Sequence, residues 1–130
     1  MLNQSGVVIT KLTTPKNILF APEMAVAVSC IVDSTGISAG SDGKKIMKAG
    51  NPLTGDLTNR QSAFTTATTS DSSNAIGVLL HDVDVTSGKA NASILIFGFV
   101  DLTKVDNTIA STMLTADVKT ALKGRITFLK

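Results

Sequence analysis

The chain has 130 residues, enough for one domain and too few for two full cores. Hydrophobic residues make up 43% but aromatics only 4%, with no Trp or Tyr, so a real core is expected and it must be aliphatic. Twelve basic residues nearly cancel ten acidic ones, and the basic clusters (Lys44, Lys45 and Lys48; Lys119, Lys123, Arg125 and Lys130) hold no aromatic residue but Phe128. That argues against nucleic-acid binding, which needs a basic stripe, and aromatic scarcity argues equally against stacking on bases or sugars.

In chain order, residues 1–22 read as an extended arm and 23–130 as a β-rich domain. The arm holds Val7-Val8-Ile9, then Lys11-Leu12-Thr13-Thr14-Pro15, then Ile18-Leu19-Phe20 ahead of Pro22. Each proline biases its predecessor to extended geometry. Such a segment either packs on its own domain or adds a strand to another chain's sheet, and for Ile18 to Phe20 the two readings weigh equally. The start of the chain lacks the basic and long apolar stretches of an export signal, and no apolar run approaches the roughly 20 residues of a membrane span. Manufacture in a reducing cytoplasm is therefore expected, with no membrane partner. Cys30, the single cysteine, sits in the apolar run Ala25 to Val32 and reads as a small buried hydrophobe.

Met24 to Val32 is expected to be a strand, with Asp33-Ser34-Thr35-Gly36 as its turn, and Lys44 to Gly50 contains a second, short one. Asn51 to Asn59 reads as a long loop, and Ser62 to Thr69 as a half-solvated strand. Two apolar strands follow, Ala75 to Leu80 and Ala92 to Val100, joined by the polar stretch His81 to Asn91. Ile109, Met113, Val118, Ala121 and Leu122 recur at helical spacing, which predicts one helix over 109–122, weakened near Leu114 by threonines, with Thr115 or Asn107 as a cap and Gly124 as its stop. Arg125 to Leu129 reads as a closing strand. The fold class is mainly β with one short helix.

Candidate sites are few. His81-Asp82-Val83-Asp84 draws attention as a metal cluster, but alternation on a strand turns His81 away from both carboxylates, and calcium needs about six oxygens. Gly36 to Lys45 echoes a phosphate loop in the wrong register, with Ser38 where glycine is needed and Lys45 in place of the magnesium-binding hydroxyl. No Gly-x-Ser-x-Gly elbow accompanies His81, the only histidine. No catalytic residue, metal or cofactor is expected.

Asn74-Ala75-Ile76-Gly77-Val78-Leu79, a polar connector, Ser93-Ile94-Leu95-Ile96-Phe97-Gly98-Phe99-Val100, Asp101-Leu102, Lys104-Val105 and Arg125 to Leu129 together resemble the head-decoration (capsid-stabilising) proteins of lambda-type phages. Lys45 to Gly55 and Pro15 to Ala21 resemble segments of the same group. The resemblance covers about residues 15 to 130 and rests on structural motifs; the absence of Trp and a longer segment before the core depart from the lambda type. It implies a viral structural protein, a homotrimer on the outer surface of the virion's capsid, made in the host bacterium. There it would clamp neighbouring subunits of the major capsid protein after head expansion. It also implies an N-terminal arm that joins a capsid strand, which by position assigns capsid binding to Val7, Val8, Ile9, Leu12, Ile18, Leu19 and Phe20. Two rival readings are the capsid-binding base of a head fibre, which would need further domains, and a small ligand-binding β-barrel, which would need a pocket with convergent polar groups.

Overall fold

The computed structural model describes residues 18–67 and 74–130. The protein is mainly β. Its strands are β1 (Val26–Val32), β2 (Ile46–Met47), β3 (Pro52–Thr54), β4 (Thr65–Thr66), β5 (Gly77–Leu79), β6 (Val83–Asp84), β7 (Ala90–Asp101) and β8 (Ile126–Leu129). The main sheet has the order β1-β7-β5-β3-β4, with β8 joined to the far end of β7; β2 and β6 form a separate ribbon. Every pairing of these strands is antiparallel except β7 with β8.

The organising element is β7, twelve residues long. Its β-branched and aromatic residues favour a pleated strand, and alternation sends neighbours to opposite faces. Leu95 and Val78 bury themselves on one face with Leu114, Val118, Leu122 and Ile126. Ile94 and Leu79 go to the other, with Val32, Met47, Phe64 and Val85. The two apolar segments of the sequence are thus the middle of a sheet covered on both sides. That explains why they read as near-continuous hydrophobic runs rather than as an alternation of polar and apolar residues.

Residues 18–20 continue β1 along the same side of β7. Leu19 bridges Val100, the Phe20 N–H donates to the Phe99 carbonyl at 3.0 Å, and the Asp101 N–H donates to the Ile18 carbonyl at 2.8 Å. Between this piece and β1, Pro22–Met24 form a single 3₁₀ turn that packs on β7. Proline opens the turn, where its missing N–H costs nothing. The predicted strand from Met24 therefore begins two residues later.

The expected single helix is two pieces. Ile109–Met113 form a π turn, with the Leu114 N–H donating to the Ile109 carbonyl at 3.0 Å, and Ala116–Ala121 form a short α-helix, α1. The Thr112 hydroxyl bonds back to the Thr108 carbonyl, competing with the ladder as threonine does mid-helix. Thr115 restarts the helix by accepting from the Val118 N–H at 3.3 Å. Gly124, at φ 87°, ends the segment in the left-handed region where a side chain would be strained.

Asn51 to Asn59 is not all loop. Pro52–Thr54 form β3, with proline at the first position of the strand, where its lack of an N–H is tolerated. The Pro52 carbonyl still accepts from the Ala67 N–H at 2.9 Å. Asn51, 2% exposed, supports this corner by donating to the Thr66 hydroxyl at 2.7 Å and to the Pro52 carbonyl at 3.3 Å. Thr66→Val removes the shorter bond while leaving the amide buried, and should cost about 1–3 kcal/mol in urea unfolding. An unchanged denaturation midpoint would show that the corner stands without that bond.

Candidate functional site

The structure disperses the His81–Asp84 cluster. Asp82 accepts the Ala49 N–H at 2.7 Å, fixing the turn after β2, while His81 is exposed. Asp84 accepts from the Thr86 N–H at 2.9 Å. Among the described residues no three of His, Cys, Asp and Glu come together as metal ligands.

Asp84 belongs to a recurring device that sequence reading missed. Asp56, Asp84, Asp101 and Asp106 each stand two residues before a threonine and accept its backbone N–H at 2.8 to 3.0 Å. Such Asx turns close corners without demanding glycine. The hydrogen bonds from Thr58, Thr86 and Thr103 hold the carboxyls of Asp56, Asp84 and Asp101 below the ordinary value of 3.8. A folded-state value below the unfolded one contributes stability that is present above about pH 4 and lost as pH falls through the folded values. Thermal midpoints should therefore drop below about pH 4, and the drop should shrink in an Asp56→Asn, Asp84→Asn, Asp101→Asn variant. An identical acid limb in that variant would remove these turns as its cause.

Of the residues assigned to capsid binding, Val7, Val8, Ile9 and Leu12 lie outside the described residues. Ile18 and Leu19 do not project as an arm: they are 0% and 8% exposed and pack among Val100, Leu114 and Val118. Their apolar side chains serve the domain's own core, which corrects their assignment to an outside surface and carries the body back to residue 18. Phe20 alone of that trio turns outward, at 60% exposed.

Phe20 has company. The large hydrophobic residues exposed on the described surface are Phe20, Met24 (53%), Val26 (48%) and Phe97 (46%). Val26 sits opposite Phe97 in the β1–β7 register, Phe20 is bonded to Phe99, and Met24 stands in the 3₁₀ turn between them. All four stand on the segments where the N-terminal stretch, the 3₁₀ turn and β1 run beside the far half of β7.

Further along the same strand pair the side chains become small and polar. Ala27 and Ser29 are exposed, and Ser29 stands opposite the half-buried Ser93. Beyond them opens a cleft of about 600 Å³ between β1 and the loop after β3. Ser29, Ile31 and Asn91 form its floor, and Asn59, Arg60 and Gln61 its wall. The Arg60 guanidinium donates through Nη1 to the Ser29 carbonyl at 2.8 Å and to its hydroxyl at 3.1 Å. Next to it the Ile31 carbonyl accepts from the Phe64 N–H, and the Asp33 N–H donates to the Phe64 carbonyl. The outer edge of β1 from Ser29 to Asp33 is thereby occupied, which protects it from added strands. Cys30 lines the cleft but is itself buried; burial pushes its thiol above the ordinary 9.0, against a smaller pull from Arg60, which disfavours the thiolate.

The cleft has the volume of a small-molecule site, but such sites are lined mostly by apolar and aromatic side chains. Here the wall is amide and guanidinium, one Arg60 nitrogen is committed to Ser29, and the Asn59 amide is committed to the Ser62 hydroxyl at 3.0 Å. Among the described residues no helix is long and apolar enough to cross a membrane. Compared with known proteins, the chain matches no family model and no curated relative.

Proposed function

We propose that this is a non-enzymatic capsid-decoration protein, a homotrimer that seats on the outer surface of an expanded phage head and braces adjacent major-capsid subunits. The observation that carries the reading is the exposure of Phe20, Met24, Val26 and Phe97, the large hydrophobic residues left uncovered on the described surface, all on the stretch where the N-terminal segment and β1 run beside β7. Large apolar side chains left exposed near one another on a small body favour an interaction surface. The likeness of residues 15 to 130 to lambda-type decoration proteins names the partner. Val7, Val8, Ile9 and Leu12 supply the strand-adding segment, with Phe20 at its base.

The physics of bracing fits such a molecule. Packaged DNA pushes the shell outward and pulls its subunits apart. A trimer gripping several of them gains by multivalency, since later contacts form at high effective concentration. A strand added to a capsid sheet works through main-chain hydrogen bonds and needs no aromatic anchors. Co-sedimentation with expanded and unexpanded heads tests the proposal: the protein should pellet with the former, saturably. Heads that ignore it, together with a thermal shift on adding a small ligand that Arg60→Ala abolishes, would instead establish the ligand-binding reading of the cleft. Attachment of a longer parent chain carrying fibre domains would favour the head-fibre base.

A further inference from the structure

We infer that one copy docks on the next by placing its Pro22–Met24 turn in the polar cleft of its neighbour, with Glu23 paired to the neighbour's Arg60. The inference rests on the reading of the protein as a self-associating brace and names the surfaces that would do it.

Both halves of the contact are present on one chain, in complementary form. The turn interrupts the run of extended chain from Ile18 to Val32 and carries Glu23 and Met24 outward, both exposed. Glu23 is the only glutamate in the protein. The cleft lies past Ser29 on the same strand pair, is open to solvent, and contains Arg60 with no carboxylate among its lining residues. Between turn and cleft the floor is small, Ala27 and Ser29, so a projecting element can lie close against the sheet.

Within one chain the two charges do not meet. From Val26 to the cleft floor at Ser29–Ile31 the strand rises about 10–17 Å at ~3.3 Å per residue, and the turn stands before Val26. Among the described residues neither Glu23 nor Arg60 is ion-paired; the guanidinium, which lines the cleft, spends one nitrogen on Ser29 and leaves the others without a hydrogen-bond partner. A second copy satisfies both at once. Because turn and cleft are different surfaces, the contact is head-to-tail, the kind that generates a closed ring when its rotation closes. The bonds on the edge of β1 from Ser29 to Asp33 block strand addition there, so a contact at this end of the strand is made through the cleft.

Sedimentation equilibrium on the full chain tests the contact, using Glu23→Arg, Arg60→Glu and the double reversal, with Met24→Asp as an independent probe. Each single reversal should weaken self-association at least about tenfold, the double reversal should restore most of it, and Met24→Asp should weaken it with no change in net fold by circular dichroism. All three side chains changed are on the surface, so unfolding is not the expected outcome. A double reversal no stronger than either single one overturns the pairing. A wild type that pellets with expanded heads yet stays monomeric at every concentration overturns this contact while leaving the decoration proposal standing. A wild type that self-associates through the contact but ignores heads does the reverse.

Discussion

Deleting residues 1–17 should leave the thermal midpoint of the body close to that of the full chain, whereas deleting residues 1–20 should lower it drastically or yield insoluble protein. The difference is three residues, two of them core. Ile18 is fully buried and Leu19 nearly so, and large-to-small truncation at such sites costs about 2–5 kcal/mol each. The longer deletion also removes the bonds of Ile18 and Phe20 to Asp101 and Phe99, leaving the end of β7 open on that side. Against a total stability of about 5–15 kcal/mol, that combined loss is enough to unfold a small domain. Capsid attachment should separate the two roles. The shorter deletion, folded and removing Val7 to Leu12, should bind expanded heads far more weakly than the full chain. Unweakened binding would move the capsid contact onto the body, and equal midpoints for the two deletions would put Ile18 and Leu19 back in the arm.

That contrast shows where sequence reading stops. Ile18-Leu19-Phe20, bounded by prolines, has the same local signature whether it pairs with its own β7 or with another protein's strand. Propensity and proline geometry are local; the partner of an extended segment is a tertiary fact. The long-range bridge from Leu19 to Val100 is carried by main-chain groups, which leave no mark on side-chain choice. By contrast β5 and the Ile94-Leu95 centre of β7 were legible because they are buried on both faces and therefore read as unbroken apolar runs. β3 was not, since Asn51-Pro52 announces a turn, and it is pairing with β4 on one side and β5 on the other, both distant in sequence, that makes the next residues a strand.

The helical region was legible in its face and in its weak point. Val118 and Leu122 are core residues at the predicted spacing, and the break falls at Leu114, with Thr115 recapping. What periodicity could not supply was the π turn, which keeps Ile109 and Met113 half-buried by widening the ladder rather than by continuing it. The site was less legible still. Phe97 lies far in sequence from Phe20, Met24 and Val26, and it neighbours Val26 only through the β1–β7 register, which shifts between Val26 and Ala27. A signal did exist for the corners, the repeated Asp-x-Thr at 56–58, 84–86, 101–103 and 106–108, because an aspartate two residues ahead of a threonine is a ready-made Asx turn.

Gly77→Ala, a change of one methyl group, should destabilise the protein by roughly 2–3 kcal/mol and lower its thermal midpoint by about 10 °C. A Cβ at this position would run into the Leu95 carbonyl oxygen and lie 2.8 Å from Cγ1 of Ile94. The first of these is backbone in the central strand and cannot turn aside like the end of a flexible side chain. Nor can β5 move away, because it is held from both flanks: Gly77 pairs with Leu53 of β3, and Val78 with Leu95 of β7. The Arg125 guanidinium ties the chain just ahead of it, donating to the Ile76 carbonyl at 3.2 Å. Relief must therefore come from shifting three strands and separating the Ile94 and Leu95 side chains from the two cores they anchor. Gly40→Ala is the control. Its Cβ would meet the flexible Asp42 carboxylate at 3.3 Å and the Lys44 carbonyl at an ordinary 3.7 Å, and a backbone that tolerates alanine loses nothing by it. Urea unfolding of the pair decides the matter: a lowered midpoint at Gly77 with an unchanged denaturant slope, and no comparable loss at Gly40, is the expected result. Equal effects at both positions would mean that the centre of the sheet yields more easily than its close-packed contacts imply.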